Sequence, residues 1–579
     1  MLKQLAKCIR EYKLPSILAP ITIMMEVVME TVIPFVMAKL IDNGINKGDM
    51  SYVGWCCAIL IGCCALSMSF GSLSARFAAI ASSGFAKNVR HDMFHKIQEF
   101  SFKSIDKFST SSLVTRLTTD VSNLQNSFQM VIRIAFRSPA IFLFSLIMAF
   151  TVNPKLSLIF LAAIPVLGIG LWLIMSHAHP IFKRTFKKYD KLNNVVQENL
   201  RGVRVVKSYV REDFEKQKFE AASGEIYNDF VKAERLIAFN SPLMQACMYA
   251  CMLLIAWFGS KLIVSGSMTE GELMSMITYS LQVLSSLMML SMIFVMLIIS
   301  RASAERVCEV LCEETDLKNP ENPIFEVADG SIEFKNTVFS YGKQGSKGGD
   351  CLKGISVRIE SGETVGIIGG TGSAKSTFIS LIPRLYDATA GGVFVGGRDV
   401  REYDMEALRN QVSVVLQKNE LFSGTIKENL RWGNEHATDE ELIHACKLAQ
   451  ADSFIKDFPD GYDTLIEQGG TNVSGGQKQR LCIARALLKK PKILILDDST
   501  SAVDTKTDSL IRKAFKEEIP NTTKLIIAQR ISSVESADKI IVLNDGKIDG
   551  IGTHTQLLES NEIYKEVYYS QQKGGMPEC

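Results

Sequence analysis

The stretch GIIGGTGSAKSTFISLIPRL, Gly366–Leu385, decides the fold of the second half of this chain. A short aliphatic run leads into a glycine-rich segment, which is followed by a helical pattern. The spacing of Gly369, Lys375 and Ser376 matches a phosphate-binding loop, with Ala374 where the pattern has Gly. Backbone N–H groups at the start of the helix would face anionic oxygens, and the helix dipole adds positive charge. The stretch therefore predicts a site for nucleotide phosphates.

The positions of this loop have distinct predicted roles. Lys375 is expected to reach the β- and γ-phosphates, and the Ser376 hydroxyl is expected to ligate Mg²⁺. Ala374 suits the loop if it takes helical φ and ψ angles, although its methyl group could crowd the phosphates. The predicted nucleotide-binding residues are Gly369, Gly370, Thr371, Gly372, Ser373, Ala374, Lys375, Ser376 and Thr377.

The stretch ILILDDST, Ile493–Thr500, places two carboxylates at the tip of a purely aliphatic strand. Asp497 is expected to hold Mg²⁺ through its coordination shell, as the partner of a phosphate-binding loop does. One carboxylate suffices as a metal ligand, so the neighbouring carboxylate of Asp498 suggests catalytic chemistry. Together the two stretches predict the binding of ATP and Mg²⁺.

The composition of the 579-residue chain indicates several domains, because single cores rarely exceed about 300 residues. Lys and Arg number 64 and Asp and Glu number 62, so bulk charge favours no nucleic-acid partner. Hydrophobic residues make up 47% of the chain, and the long apolar stretches lie before residue 300. The thirteen cysteines lack metal-ligand spacing, so reduced, packed thiols are predicted.

Six stretches of the first half are long enough and apolar enough to span a membrane, which takes about 20 mostly apolar residues. Two of their connections are long and basic: Lys87–Thr118 holds six Lys or Arg and Lys183–Arg235 holds thirteen. Basic loops mark the cytoplasmic side, so a multi-pass protein of the cell membrane is predicted, with both termini in the cytoplasm. The six predicted spans are Ser16–Ile41, Tyr52–Ala79, Ile132–Val152, Leu156–Met175, Pro242–Val264 and Leu273–Ile299.

The long basic loops repeat apolar residues at helical spacing, which leaves two interpretations open. They are small cytoplasmic inserts, or spans two to five continue as helices about 20–30 residues beyond the bilayer. After a polar segment with two prolines, Glu314–Ile324, short β-branched runs alternate with helical patterns. This alternation indicates an α/β layer with a mainly parallel sheet. The predicted division is a membrane domain over 1–313, a linker over 314–330 and an ATP-binding α/β domain over 331–579.

The segment NVSGGQKQR resembles the signature of ABC transporters, specifically of exporters in which a membrane domain precedes the nucleotide-binding domain. The signature Ser474-Gly475-Gly476-Gln477 begins 18 residues before Lys492, where the aspartate-bearing strand starts. The resemblance covers essentially the whole chain. It implies an α-helical six-span transmembrane domain followed by an α/β P-loop domain. It also implies that the phosphate loop of one nucleotide domain and the signature of another enclose each ATP, so a second half-transporter is required.

Four further residues take expected roles from the same resemblance. Tyr341 resembles the aromatic residue that stacks on adenine, and Gln417 resembles the loop glutamine that senses Mg²⁺ and the attacking water. Glu467 resembles the acidic residue of the segment that touches the membrane-domain helices. Asp504 resembles the aspartate that communicates between the paired nucleotide domains.

Two positions depart from the family's pattern. Asp498 stands where the family usually has a Glu that orients the attacking water, and its carboxylate is withdrawn by roughly 1 Å, a shift that costs on the order of 100-fold in rate, or about 2.7 kcal/mol. Gln529 stands where the family usually has a His that contacts the γ-phosphate, and an amide lacks the charge of an imidazolium. The chain therefore resembles the degenerate-site subunit of a heterodimeric bacterial multidrug exporter, whose partner's competent site is completed by this chain's signature.

Two alternatives stay open: a slow homodimeric exporter, and an ATP-gated channel or regulator on the same fold. The expected cargo is a small amphipathic or hydrophobic compound, whether drug-like, lipid or peptide. Glu26 and Glu30 lie one turn apart in the first span, where charge is costly. They are expected either to line a cavity or to pair with Arg133 or Arg137.

Overall fold

The structure, a computed structural model, describes residues 1–342, 349–498 and 503–573. The chain divides into two compact units. The first unit comprises Met1–Gln98 and Thr110–Glu313, and the second comprises Glu99–Ser109 and Glu314–Cys579. The short segment Glu99–Ser109 therefore belongs with the C-terminal unit although helices of the first unit flank it in the chain.

Long helices make up the first unit. Six helical segments of the described chain are long enough and apolar enough to cross a membrane, and the predicted six-span domain is confirmed. The helices of the first 313 residues are α1 (Leu2–Lys7), α2 (Lys13–Lys39), α3 (Met50–Gln98), α4 (Phe102–Lys107), α5 (Thr110–Thr115), α6 (Val121–Val152), α7 (Pro154–Ser208), α8 (Glu212–Ala238), α9 (Asn240–Val264) and α10 (Glu270–Leu311).

Two of these helices extend far beyond the thickness of a bilayer. Helix α3 has 49 residues and α7 has 55, or about 75 and 80 Å at 1.5 Å per residue. The chain then turns back as α8. The carboxylate of Asp229 on α8 lies 2.8 Å from Arg184 and 2.9 Å from Lys188, both on α7, so the two helices are joined by ion pairs. The second and fourth spans therefore continue as helices beyond their predicted ends, as one of the two interpretations expects.

The two acidic residues of the first span pair with a single arginine. Arg137 of α6 donates to Glu26 and, over 2.9 Å, to Glu30. Glu26 is buried, and Gly71 of α3 makes room for it, because a Cβ on Gly71 would lie 3.0 Å from Glu26 Oε2. Of the two predicted partners, Arg137 and not Arg133 makes the pair.

The second unit is built on a six-stranded sheet in the order β12-β11-β3-β10-β9-β6, in which only β12 is antiparallel. The predicted mainly parallel sheet is confirmed. An antiparallel sheet, β2-β1-β4-β5, and a two-stranded sheet, β7-β8, accompany it. The strands are β1 (Ile332–Phe339), β2 (Leu352–Ile359), β3 (Thr364–Ile368), β4 (Ala390–Val395), β5 (Arg398–Asp399), β6 (Val412–Val415), β7 (Gly424–Thr425), β8 (Leu465–Ile466), β9 (Ile493–Asp497), β10 (Thr523–Ile527), β11 (Lys539–Asn544) and β12 (Lys547–Gly552).

The central strand β9 is aliphatic up to Asp497 because both of its faces are covered. On β9, Leu494 and Leu496 pack into one buried cluster, whereas Ile493 and Ile495 pack into another on the opposite face. The surrounding helices are α11 (Lys375–Ser380), α12 (Met405–Gln411), α13 (Ile426–Arg431), α14 (Asp439–Leu448), α15 (Asp452–Lys456), α16 (Gly475–Leu488), α17 (Thr505–Glu518), α18 (His554–Ser560) and α19 (Glu562–Lys573).

Candidate nucleotide site

The carboxyl ends of β3, β9 and β10 meet at one edge of the six-stranded sheet and open into a cleft of about 810 Å³. Loops at this edge of an open α/β sheet are where ligands bind. Most of the residues predicted from the sequence line this cleft. They are Gly369, Gly370, Thr371, Gly372, Ser373, Ala374, Lys375, Ser376, Thr377, Gln417, Asp497, Asp498 and Gln529.

The backbone of the phosphate loop depends on its small residues. A Cβ on Gly369 would lie 2.2 Å from the carbonyl oxygen of Leu543, so only glycine fits there. Ala374 takes φ 71° and ψ 26°, a left-handed conformation, so the condition of helical angles is not met. The reason is its place at the cap of α11: its carbonyl accepts the first helical bond, from the N–H of Phe378 at 2.9 Å, while the loop before it must still turn. A left-handed alanine costs about 1 kcal/mol.

Lys375 lies folded over the loop that it is predicted to serve. Its Nζ donates to the carbonyl oxygens of Gly369 and Gly370, both at 2.8 Å, and to Ser373 Oγ at 3.3 Å. Burial lowers the pKa of Lys375, and the carboxylates of Asp497 and Asp498 oppose that shift. The ammonium of Lys375 thus donates to three oxygen acceptors of the loop. The oxygens of a nucleotide phosphate can replace these acceptors, so the loop fits a nucleotide.

The oxygen ligands predicted for Mg²⁺ are adjacent in the cleft. The Ser376 hydroxyl hydrogen-bonds the carboxylate of Asp497, and burial raises the pKa of Asp497 while that hydrogen bond lowers it. A hydroxyl and a carboxylate are hard oxygen donors of the kind Mg²⁺ takes, together with water and phosphate oxygens. The donor set therefore fits the ion, which would bridge these side chains and the phosphates of a bound nucleotide.

The carboxylate of Asp498 is held by two amides. Gln529 Nε2 donates to Asp498 Oδ2 at 2.7 Å, and Gln417 Nε2 donates to the same oxygen at 3.4 Å. Asp498 is only 9% exposed, and its backbone takes φ 48° just after β9. Burial raises the pKa of Asp498, whereas the two amide hydrogen bonds lower it. Gln417 and Gln529, two of the three residues that were predicted to act on water and phosphate, thus both contact the third, Asp498.

Tyr341 lies next to the phosphate loop but outside the lining of the cleft as the structure describes it. Its hydroxyl is 3.0 Å from Thr377 Oγ1, and its ring meets the rings of Phe339 and Tyr386 edge to face. The side chain is 47% exposed. An exposed aromatic ring tied by its hydroxyl to the loop helix is available for stacking on a base.

The signature residues form the cap of α16, away from the cleft of the same chain. Ser474 Oγ accepts from the backbone N–H of Gln477 at 3.3 Å, and the Ser474 N–H donates to Gln477 Oε1 at 2.9 Å. Ser474 and Gly475 are exposed, and Gly476 is partly so. Neither the serine hydroxyl nor the helix start lines the cleft of the described chain.

Glu467 and Asp504, which the resemblance assigns to contact with the membrane-domain helices and to communication between nucleotide domains, accept hydrogen bonds from nearby residues of their own segments. Glu467 Oε2 accepts from the Thr471 hydroxyl at 2.7 Å, which shapes the segment before the signature. Asp504 caps α17 by accepting from the N–H of Thr507 at 2.9 Å. Residues 499–502, which link Asp504 to Asp498, lie outside the described residues.

Sequence reasoning missed a contact on the far side of the phosphate loop. The Tyr386 hydroxyl donates to Asp106 Oδ2 of α4 at 2.7 Å, and its ring meets Phe102 of the same helix edge to face. Burial and the neighbouring carboxylate raise the pKa of Tyr386. Because Tyr386 also contacts Tyr341, one tyrosine touches both α4 and the predicted adenine platform. Nothing in the sequence separates Tyr386 from an ordinary buried tyrosine, since its partner lies 280 residues away.

Profiles of known families match both halves of the chain. The profile of the ABC transporter transmembrane region matches residues 16–288, and the ABC transporter profile matches residues 352–501. Six apolar helices followed by a P-loop domain define a nucleotide-driven membrane transporter. The chain belongs to the ABC transporter family, as an exporter-type half-transporter driven by ATP hydrolysis.

Individual relatives span the full length of the chain. YfiB of Bacillus subtilis (strain 168), an uncharacterized ABC transporter ATP-binding protein, is 38% identical over 563 residues, covering 97% of both chains. The ATP-dependent lipid A-core flippase of Desulfotalea psychrophila is 30% identical over 575 residues, covering 99% of both. The structure of a bacterial Atm1-family ABC exporter with ATP bound shares the fold, with a TM-score of 0.83 at 22% identity over 97% of this chain and 99% of that one.

Proposed function

We propose that this chain is the degenerate-site subunit of a heterodimeric exporter, which binds ATP and Mg²⁺ at its own phosphate loop but hydrolyses it slowly there. The single observation that carries the proposal is the contact between Asp498 and Gln529. The amide holds the short carboxylate at 2.7 Å. The two residues that depart from the family's pattern therefore hydrogen-bond each other. Neither an imidazolium nor a longer carboxylate side chain is present there to orient an attacking water molecule.

The binding groups of the same cleft are intact. Lys375, Ser376 and Asp497 retain the lysine, hydroxyl and carboxylate that hold a nucleotide and its metal ion. Retained binding groups beside altered hydrolytic groups support slow turnover at an occupied site. In that case the nucleotide stabilises an assembly more than it drives each cycle.

The signature supports the second half of the proposal. Ser474 and Gly475 are exposed at the start of a 14-residue helix, where backbone N–H groups and the helix dipole favour a phosphate. They lie outside the cleft of their own chain. Another half-transporter, which carries Glu and His at the positions of Asp498 and Gln529, would use this signature to complete its own site.

The proposed cargo is an amphipathic or hydrophobic compound that leaves the cell through the membrane unit. The relative from Desulfotalea psychrophila is named as a lipid A-core flippase, which supports a lipid-like cargo for this chain. Many apolar side chains of the spanning helices are exposed, as Trp172, Leu173 and Trp257 are, so lipid surrounds them. We place both termini and the two long helical loops in the cytoplasm.

The first test identifies the partner. The chain is tagged in its native host, extracted in mild detergent and purified, and the membrane proteins that accompany it are quantified by mass spectrometry. One different half-transporter in about equal amount is expected, with Glu and His at the two positions. Recovery of copies of this chain alone would favour the slow homodimer instead.

The second test measures hydrolysis at each site of the purified pair. Trapping of a photoreactive ATP analogue is compared for the wild type, Asp498→Glu, Gln529→His and the double variant. The double variant should raise the rate of ATP hydrolysis at this chain's site by about 10- to 100-fold. Each single variant should raise it less, because either Asp498 or Gln529 remains and still holds its neighbour in the wrong position. Lys375→Ala is the matched control that removes binding. Brisk hydrolysis at the wild-type site would contradict the proposal.

A further inference from the structure

A second cavity, of about 280 Å³, lies at the amino ends of the parallel strands, opposite the nucleotide cleft. Its lining includes Thr364 at the start of β3, Lys524 near the start of β10 and Asp538 just before β11. Helix α17 closes one side with Phe515 and Lys516. None of these residues takes part in the nucleotide site, so the cavity is separate from it.

Lys524 is the unusual member of this lining. The residue is 3% exposed, and it shares a face of β10 with Ile526, which packs in a buried apolar cluster beside Phe515. No described acceptor lies within hydrogen-bond distance of its Nζ. A buried ammonium without a partner is costly, because burial removes its water and nothing replaces it. The nearest carboxylate, that of Asp538, is turned to the backbone N–H of Thr364 at 2.8 Å.

Arg512 of α17 also lines the cavity, and its guanidinium is held by neighbouring groups. Its Nη1 donates to the carbonyl oxygen of Ser532 at 2.9 Å, and its Nη2 lies 3.2 Å from Asp508 Oδ2. Its Nε is buried and has no hydrogen-bond partner. The charge of Arg512 is neutralised by its ion pair with Asp508. The rest of the lining then carries two positive charges, on Lys516 and Lys524, and one negative charge, on Asp538.

Part of the remaining wall is apolar, and Ser533 and Ser536 also line it. Phe515, Pro520, Ile526 and Ala537 line the cavity beside the donors. A ligand that satisfies this lining therefore carries negative charge at one end and an apolar body at the other. Two ammonium groups, on Lys516 and Lys524, suit a phosphate group better than a carboxylate, because a phosphate carries more negative charge and one more terminal oxygen.

We propose that this cavity is a binding site for a phosphate group, with the ammonium of Lys524 as its buried donor. The phosphate contacts this ammonium, Lys516 closes over its outer side, and the apolar part of the wall accepts an organic substituent. Strand β10 runs from Lys524 towards Gln529, so the ligand binds to the strand that also positions one residue of the nucleotide cleft. The site is independent of the partner and cargo proposed above.

The test measures phosphate binding to the full-length protein in detergent by equilibrium dialysis with radiolabelled inorganic phosphate at constant ionic strength. All proteins carry Lys375→Ala, so that the phosphate loop does not contribute. We expect saturable binding of about one phosphate per chain, with a dissociation constant on the order of 1 mM. Lys524→Met should weaken binding at least about tenfold, because a charge-assisted donor is lost. Lys513→Met, on the exposed side of α17, is the matched control and should leave binding unchanged.

A second variant separates the site from a general effect of Lys524 on folding. Ala537→Leu keeps every charge and fills the cavity, so it should also abolish binding. Phenyl phosphate in place of inorganic phosphate distinguishes the two sources of the group: tighter binding by at least about tenfold indicates an organic phosphate, and equal affinity indicates the free ion. The absence of saturable binding, or binding that both Lys524→Met and Ala537→Leu leave intact, would overturn the proposal.

Discussion

Ala374 shows how one residue can be correct in a motif and still be strained. Its φ of 71° is a conformation that glycine adopts without cost, and glycine is the residue that phosphate loops usually carry there. The methyl group lines the nucleotide cleft. The chain therefore holds a small amount of backbone strain at the place where α11 begins.

Replacing this residue by glycine should stabilise the protein, against the usual effect of glycine. Ala374→Gly is expected to raise the free energy of unfolding by about 0.5–1 kcal/mol, because removal of the left-handed strain exceeds the added entropy of the unfolded chain. Thermal unfolding without nucleotide is the measurement. Ala514→Gly, within α17, is the control and should lose about 1 kcal/mol. Equal losses in both variants would show that Ala374 carries no strain.

Asp498 should make the stability of the nucleotide-free protein depend on pH. Burial raises its pKa in the folded state above the unfolded value of about 3.9. The stabilisation that comes from protonated Asp498 is fully present below the pKa of the unfolded chain. It is lost as the pH rises through the higher pKa of the folded protein. Asp498→Asn, which keeps an oxygen to accept from Gln529, should therefore raise the melting temperature by a few degrees at pH 8 and by less at pH 5.

A carboxylate with the opposite shift provides the control. A hydrogen bond from Lys353 lowers the pKa of Asp545. Asp545→Asn should therefore leave the melting temperature unchanged or lower it at pH 8. If Asp498→Asn, like this control, left the melting temperature at pH 8 unchanged or lowered it, the idea that a costly buried charge sits at Asp498 would be refuted.

At the scale of elements, the short helix α4 is held by side chains rather than by its own length. It has six residues, too few to be stable alone, and its N-cap is Ser101. The hydroxyl of Tyr386 and the ring contact with Phe102 attach it to the second unit, and Lys103 lies 3.3 Å from Asp316. The position of α4 thus depends on a few contacts next to the nucleotide cleft.

Removing the Tyr386 hydroxyl should loosen α4 without unfolding the sheet behind it. Tyr386→Phe keeps the ring contacts but loses the hydrogen bond to Asp106, which is worth about 1 kcal/mol. Amide hydrogen exchange across residues 102–107 is therefore expected to speed up about fivefold, while exchange in β3 and β9 stays the same. Tyr569→Phe, on an exposed face, is the control. Unchanged exchange in α4 would mean that other contacts hold it.

At the scale of the whole molecule, charge distribution and helix length lead to one orientation. The connection between α2 and α3 is short, whereas the turn between α7 and α8 lies at the end of a helix about 80 Å long. The basic residues concentrate along that extended helix pair. Basic segments are retained in the cytoplasm, so the two connections are expected on opposite sides of the membrane.

This orientation can be measured with inserted epitopes. An epitope after Lys47 should bind antibody on cells stripped of their wall, and an epitope after Val210 should bind it only after the membrane is permeabilised. The expected difference in signal before permeabilisation is at least about tenfold, because the membrane excludes the antibody. Fluorescence of a fusion at the C-terminus serves as the control for assembly. Labelling in the reverse pattern would invert the proposed topology.

The sequence by itself determined the fold class and the place of the nucleotide motifs. Apolar spans, alternating strands and the phosphate loop are local patterns, and each depends on periodicity or spacing that neighbours in the chain supply. Parallel α/β strands present their following loops at one edge of the sheet. The phosphate loop, Asp497, Asp498 and Gln529 each lie at or after the end of such a strand, and they line one cleft.

Only the tertiary structure decided what those residues touch. It selected Arg137 as the partner of Glu26, turned Ala374 left-handed, joined Asp498 to Gln529 and placed Lys524 in a cavity without a described hydrogen-bond acceptor for its ammonium. Each of these outcomes depends on segments that are far apart in the chain and on the shape of the space between them. Such contacts are set by packing, which no local pattern records.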